Sequence, residues 1–179
     1  MSADPLHLLI GSGPLAVRAH DGAQWSGRAR LGGGASLRDA PRVHMLLAAT
    51  PISVPAAEDD LRWSGARIAQ VGTVRPERAA ALLCNFLDVA DSAEEEFNAW
   101  YDTEHLPRLG ALPGVEGIAR FRSTQSPRYL ALFALAAADV AAGEAWLAAA
   151  RTPWTTRIKR FTHGYRSLLF TDKTSYYSS

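Results

Sequence analysis

The order of strand-like and helix-like segments between residues 81 and 170 constrains the fold of this chain more than any other feature. Ala81 to Val89 is an apolar run, broken only by an asparagine and an aspartate, with the length of a strand buried on both faces. A helix is predicted from Ser92 to about His105, because Ser92 and the glutamate three residues later have the spacing of a capping box. Pro107 should end this helix, since proline disfavours helical geometry at the preceding residue.

The following residues continue the same alternation of elements. Val115–Ser123 and Arg128–Leu135 are strand candidates that form a natural antiparallel hairpin. Asp139–Ala150 is rich in alanine and predicts a second helix, and Phe161–Phe170 predicts a fourth strand. The resulting order, βαββαβ, is that of the ferredoxin-like motif, in which two helices cover one face of a four-stranded antiparallel sheet.

Such a sheet leaves one face open, and this face must be buried against a second chain or against another part of the same chain. The sequence changes character near Arg75-Pro76, which divides it into a β-rich region, residues 1–75, and a ferredoxin-like domain, residues 76–179. The predicted fold class is therefore α+β: a ferredoxin-like sheet that forms a dimeric, or intrachain pseudo-dimeric, α+β barrel.

The first region offers a short helix candidate, Ala56–Trp63, and several strand candidates: Leu6–Ile10, Leu15–Ala19, Val43–Ala49 and Ile68–Val74. One hypothesis is that it is a degenerate second ferredoxin-like unit that closes the barrel within the chain. The other is that it is a β-rich extension of a domain that forms a homodimer.

Three sequence segments resemble the EthD-like dimeric α+β-barrel proteins. They are Phe97–Pro107 (FNAWYDTEHLP), Leu112–Val115 (LPGV) and Pro127–Leu132 (PRYLAL). The resemblance covers roughly residues 80 to 172 and implies the barrel fold. It implies little about the reaction, because the wider superfamily includes monooxygenases, polyketide cyclases, dehydratases, lactone isomerases and uncharacterised proteins.

His105 is the strongest candidate for a chemical role. Asn98, Tyr101 and His105 are spaced by three and four residues, so they should form one stripe of the helix, with Asp102 at its edge. At a helix end, the dipole and Asp102 or Glu104 would favour the protonated imidazole and suit it to acid–base work. The alternative is a structural role in which His105 bonds the terminal carbonyls, and Tyr101 could equally belong to the core.

Arg120 and Arg122 form a second candidate group. They alternate with small residues along a predicted strand, so we expect the small residues to face a helix and the arginines to line the barrel. There they would hold a carboxylate, phenolate or enolate, the alternative being an ion pair with Glu116. His163, on the fourth strand, is a weaker candidate for substrate binding that could equally be packed.

Composition argues against several other functions. The chain has 19 Lys and Arg against 18 Asp and Glu, so it lacks the cationic excess that binds nucleic acid. No stretch is apolar enough for a membrane span, and none of the five histidines has a paired metal-ligand spacing. We therefore expect neither a metal nor a cofactor. The single cysteine, Cys84, favours a reducing, cytoplasmic location.

The leading functional prediction is a cofactor-independent enzyme that performs acid–base chemistry of the cyclase, isomerase, dehydratase or monooxygenase type on a small aromatic or carbonyl compound. His105 would move the proton, Tyr101 and Asn98 would orient the substrate, and Arg120 or Arg122 would balance negative charge. The alternative is a non-catalytic, small-molecule-binding or structural dimer.

Overall fold

The structure, a computed structural model, describes residues 4–12, 22–31, 41–53 and 59–177. Within them the strands are β1 (Pro5–Gly11), β2 (Gly22–Leu31), β3 (Arg42–Ala48), β4 (Leu61–Gly72), β5 (Ala81–Val89), β6 (Val115–Arg122), β7 (Tyr129–Leu135) and β8 (Thr162–Tyr177). The helices are α1 (Glu94–Trp100), α2 (Leu106–Gly110), α3 (Glu144–Ala150) and α4 (Pro153–Ile158). A π-helical turn, Tyr101–His105, joins α1 to α2 without a break.

The strands form one closed antiparallel barrel in the order β1-β3-β2-β8-β5-β7-β6-β4. The predicted α+β barrel is confirmed, and it closes within a single chain. If the strands of each half are numbered from one to four along the chain, both halves have the order 4-1-3-2. At each seam the second strand of one half pairs with the fourth strand of the other, as β2 pairs with β8 and β4 with β6.

Side chains from both halves fill the interior of the barrel. Leu8, Trp25 and Met45 come from the N-terminal strands, and Phe86 and Phe170 come from the C-terminal ones; all five are buried. Because side chains alternate across a strand, every second residue reaches this interior. The open face of the C-terminal sheet is therefore covered by the chain's own N-terminal strands, and barrel closure requires no second chain.

A second apolar layer lies between the helices and the outer face of the C-terminal sheet. Phe97, Trp100 and Leu109 point down from the first helix, and Trp146 from α3 meets Phe133 of β7 with ring centroids 5.1 Å apart. This layer explains why β5 is apolar on both faces, as the sequence predicted.

Among the described helices, none is both long and apolar enough to cross a membrane.

The first helix differs from its prediction at both ends. No side-chain capping bond forms at its start, where a short 3₁₀ turn, Asp91–Ala93, precedes α1. It also continues past Pro107 to Gly110. The π turn accounts for the continuation, because its wider hydrogen-bond spacing accommodates a proline that lacks an N–H and would crowd a regular α-helix.

The two faces of β6 are the reverse of the prediction. Ala119 and Phe121 face the barrel interior, whereas Ile118 and Arg120 face the helices. The long side chains of Ile118 and Arg120 span the space between sheet and helix. The barrel interior, already filled by aromatic rings from both halves, leaves room for alanine at position 119.

The N-terminal strands were predicted only in part. β2 was missed, and the candidate Leu15–Ala19 lies outside the described residues. The proposed helix Ala56–Trp63 is wrong at its end, where Leu61–Trp63 begin β4. In the C-terminal half, α4 was missed, and β8 continues seven residues beyond the predicted Phe170, to Tyr177. The missed or shortened strands, β2, β4 and β8, are held in place by pairing across the barrel rather than by a strong local sequence pattern.

Candidate functional site

A pocket of about 460 Å³ lies between the helices and the outer face of β5 and β8. Its size is within the range of small-molecule sites. Most of its wall is apolar, with a few polar groups placed among aromatic rings. The lining residues are Asn85, Leu87, Phe97, Trp100, Tyr101, His105, Leu109, Trp146, Ala150, Thr155, Ile158, Lys159, Thr162 and Tyr165.

His105 closes the π turn and forms part of this wall. Its ring lies against Trp100, with centroids 4.2 Å apart, and meets Tyr101 edge to face at 5.2 Å. Its Nδ1 is buried and has no hydrogen-bond partner in the described part of the chain. Burial lowers the pKa of His105 to about 3, and the charges of Lys159 and Arg120 act in the same direction. The imidazole is therefore neutral at physiological pH.

This environment corrects two expectations about His105. It does not stand at a helix end, because the helix continues to Gly110, so the dipole does not favour its protonated form. Nor do the neighbouring carboxylates raise its pKa: Asp102 pairs with Arg120, and Glu104 accepts a hydrogen bond from Thr152 at 2.6 Å. The alternative role, in which His105 bonds the terminal carbonyls of the helix, is not seen for Nδ1 either. This atom has no hydrogen-bond partner in the described part of the chain.

Tyr101 begins the π turn and lies between the pocket and Arg120. The guanidinium carbon of Arg120 is 3.9 Å from the centroid of the Tyr101 ring, and Phe97 packs edge to face against the ring at 5.0 Å. Burial raises the pKa of Tyr101 to about 12, so its hydroxyl stays protonated and can donate a hydrogen bond. π turns often occur at functional sites, and this one places both Tyr101 and His105 at the pocket.

Arg120 is buried, with 2% of its side chain exposed, and both arms of its guanidinium are engaged. One donates to Asp102 Oδ1 at 3.2 Å, and the other donates to Asn98 Oδ1 at 2.8 Å. The prediction that Arg120 faces the barrel interior is wrong, because its length and its hydrogen-bond partners direct it to the helix.

Six of the seven predicted site residues therefore separate into two groups. Tyr101 and His105 line the pocket. The other four line a separate, open cleft beside the first helix: Asn98, Asp102, Arg120 and Arg122. Asn98, Tyr101 and His105 lie on the same helix, as the predicted stripe requires. The side chain of Asn98, however, turns toward Arg120 and Tyr129 rather than toward the pocket.

Glu94 organises the polar groups of this cleft. Its carboxylate pairs with Arg122 at 2.8 Å and Arg128 at 3.1 Å, and it accepts a hydrogen bond from the Tyr129 hydroxyl. The bond from Tyr129, followed by the charges of Arg122 and Arg128, lowers the pKa of Glu94 below its usual value. Arg122 is thus held in an ion pair, with Glu94 rather than with Glu116 as its partner.

His163 lies at the start of β8, where it is exposed and opposite Asp88 of β5 in the strand register. It is absent from the pocket wall, which β8 supplies through Thr162 and Tyr165 instead. The prediction of a substrate contact for His163 remains a prediction.

Several residues of the pocket wall were not predicted from the sequence. The side-chain oxygen of Asn85 accepts hydrogen bonds from Ser167 at 2.8 Å and Tyr165 at 3.3 Å. Its position as a polar interruption of a buried strand was a usable signal, because a buried amide needs partners. Thr155 lies on α4 and Lys159 directly follows it. Because α4 itself was not predicted, no sequence signal pointed to these two residues.

In the part of the chain that the structure describes, no three His, Cys, Asp or Glu side chains come together as a metal site would require. The thiol of Cys84 is buried in the barrel, 4.0 Å from the sulfur of Met45, and burial raises its pKa far above the usual range. It therefore lies apart from the pocket as an unreactive, apolar group.

No protein-family model matches this sequence, and no curated protein does either. Among solved structures, a candidate monooxygenase from Fusobacterium nucleatum is similar, with a TM-score of 0.61 and 8% identity over the full length of both chains.

Two further structures are similar at 8% identity. One is an uncharacterised ferredoxin-fold protein from Listeria monocytogenes related to antibiotic biosynthesis monooxygenases, with a TM-score of 0.54 over 96% of each chain. The other is a major regulator of staphylococcal pathogenesis, with a TM-score of 0.54 over 93% of this chain and 97% of that one. With the barrel topology, these likenesses show that the chain has the ferredoxin-like α+β barrel fold.

Proposed function

We propose that the pocket binds a small aromatic or carbonyl compound and that the protein catalyses cofactor-independent proton transfer on it. The observation that carries this proposal is the position of His105: a neutral imidazole, with no described partner for its Nδ1, in the wall of a largely apolar pocket of about 460 Å³. The aromatic wall would hold a flat ring. Polar groups at the same wall, such as Asn85 and Tyr101, would orient its oxygen atoms.

In this account His105 accepts a proton from an acidic C–H or O–H of the bound molecule. Its low pKa makes it a weak base in the empty pocket. A negative charge that forms on the substrate beside it would raise the pKa again by coulombic attraction, so that transfer is favoured only when substrate is bound. The protonated Tyr101 hydroxyl would donate to the developing oxyanion.

The names of two similar structures favour the monooxygenase type among the four reaction types considered, since one is a candidate monooxygenase and the other is related to antibiotic biosynthesis monooxygenases. Membership of the EthD-like family belongs to this proposal as well. The proposal also includes a division of the chain into two parts: residues 1–75, a degenerate ferredoxin-like unit, and residues 76–179. The matching strand order of the two halves supports this division.

A homodimer and a cytoplasmic location are also part of the proposal. The homodimer would use an outer surface, because the barrel already closes within the chain. The buried, unpaired Cys84 suits a reducing compartment.

The second candidate function is non-catalytic binding. The low pKa of His105 favours it, as does the absence of a carboxylate among the described residues that line the pocket. One of the similar structures is named as a regulator of pathogenesis.

Solvent exchange separates the two functions whichever of the reaction types the enzyme performs. Cyclic ketones and aryl ketones would be incubated with the protein in D₂O, and ¹H NMR would follow the loss of the acidic C–H signals next to the carbonyl group. The enzyme proposal predicts accelerated exchange of at least one compound, reduced about 100-fold or more in His105→Gln. His44→Gln, at a histidine of β3 that does not line the pocket, should keep the wild-type rate. Binding without exchange would assign the pocket to the non-catalytic function.

A further inference from the structure

The charges around the pocket have one sign. Lys159 is the only Lys, Arg, Asp or Glu among the described residues that line it. Lys159 directly follows α4, its side chain is exposed, and it has no ion-pair partner in the described part of the chain. A cation at the wall of a pocket without carboxylates creates a positive potential inside it.

Two carboxylates on the neighbouring helix are already engaged by cations of their own. Glu96 is held by Arg157 at 2.9 Å and by the indole of Trp154, and Asp102 is held by Arg120. The sequence from residue 145 to residue 171 contains five Lys and Arg and no Asp or Glu. After burial, the positive charges of Lys159 and Arg120 lower the pKa of His105, in the direction that nearby cations would.

The inner wall of the pocket has the opposite character. Phe97, Trp100 and Leu109 come from the first helix, Trp146 comes from α3, and Ile158 comes from α4. These side chains present a continuous apolar surface that would bury a flat hydrocarbon ring. A ligand that satisfies both parts of the pocket needs an apolar ring system and one negative group.

We propose that the ligand of this pocket is an amphipathic anion, an aromatic ring system with a carboxylate or phenolate, whose charged group pairs with Lys159 while its ring fills the apolar wall. This inference rests on the proposed function, because it concerns the same pocket, and it adds the charge of the substrate and the residue that recognises it. A partly desolvated pair of this kind would contribute about tenfold in affinity.

A pair of probes of equal shape tests the charge alone. Isothermal titration calorimetry near neutral pH would compare 2-naphthoate, which carries a carboxylate, with 2-naphthamide, which is neutral. The wild-type protein should bind the naphthoate about tenfold more tightly than the amide. Lys159→Gln should remove this preference without weakening the amide. Arg160→Gln is the matched control, because Arg160 is the next residue, is exposed and does not line the pocket, so its removal should keep most of the preference.

The outcomes distinguish this inference from the proposed function. Equal affinity of the wild-type protein for both probes would overturn the anion inference and leave a working aromatic pocket. A preference that survives in Lys159→Gln, or is lost equally in Arg160→Gln, would overturn the role of Lys159. Failure of both probes to bind would overturn the inference and remove the support for the proposed function together.

Discussion

The guanidinium of Arg120 lies over the ring of Tyr101, 3.9 Å from its centroid, and connects the open cleft to the pocket. On its other side Arg120 is anchored by Asn98 and Asp102. Because the ring of Tyr101 also forms part of the pocket wall, Arg120 supports that wall from behind. The direct substrate contact that the sequence predicted for Arg120 stays a prediction.

Replacement of Arg120 should therefore cost stability. Arg120→Met keeps much of the side-chain length but removes the donors to Asn98 and Asp102 and the cation over Tyr101. We expect a loss of about 2 kcal/mol in the free energy of unfolding, measured by urea denaturation. Asp102→Asn is the control. Asp102 is 55% exposed, so its loss should cost about 0.5 kcal/mol. Equal costs for the two variants would show that Arg120 is not the anchor of this wall.

Gly27 tests the closure of the barrel within the chain. It lies on β2 opposite Phe170 of β8, at the seam between the two halves, and an added Cβ would lie 2.2 Å from the carbonyl oxygen of Leu169. The contacts at position 27 are backbone atoms, which cannot move aside without disturbing the pairing. Gly27→Ala should therefore lower the free energy of unfolding by about 2 kcal/mol.

Gly143→Ala provides the comparison for this seam. Its added Cβ would have no neighbour closer than 3.6 Å, and its φ of −68° is open to alanine. Thermal unfolding should place Gly143→Ala close to the wild type and Gly27→Ala several degrees below it. A neutral Gly27→Ala would contradict the pairing of β2 with β8.

The buried His105 predicts an acid-sensitive stability. The unfolded chain takes up a proton near the ordinary pKa of 6.5, whereas the folded chain does so only near 3. Between these values the unfolded state binds more protons, so the contribution of His105 to stability falls as pH falls. The free energy of unfolding of the wild type minus that of His105→Gln should decrease by about 1 kcal/mol between about pH 6 and about pH 5. A constant difference would mean that His105 is not desolvated.

Filling the pocket should block binding without unfolding the protein. Ala150 lines the pocket at the end of α3, whereas Ala148 on the same helix is exposed. Ala150→Phe should lower the affinity for 2-naphthoate by about tenfold or more, since the new ring would occupy the space of the ligand. Ala148→Phe should bind as the wild type does, with both melting temperatures within a few degrees of it. Unchanged affinity in Ala150→Phe would place the ligand elsewhere.

The sequence contained enough to predict the fold but not the arrangement of the site. The alternation of buried strands and helices after residue 80 is a local signal, and it predicted the C-terminal sheet. β2 was missed because it is held by pairing with strands on both of its sides, β3 and β8, rather than by its own pattern.

The arrangement of the candidate site was predicted in part for a related reason. That Tyr101 and His105 lie close together was predictable because they share a helix, which is local information. The prediction exchanged the two faces of β6. Both faces are covered by other parts of the protein, so the alternation of side chains could not show which face meets the helices. Lys159 and Asn85 come from separate elements that only the folded chain brings to one pocket.

NMR observation of the His105 imidazole would show whether a buried acid–base group lies at the pocket wall. Its ring signals would be followed from about pH 7 to about pH 4, with and without 2-naphthoate. We expect a neutral imidazole throughout this range in the free protein, with a pKa that rises when the anion binds. A histidine that titrates at its ordinary value of 6.5 and ignores the ligand would contradict a buried acid–base group at the wall of this pocket.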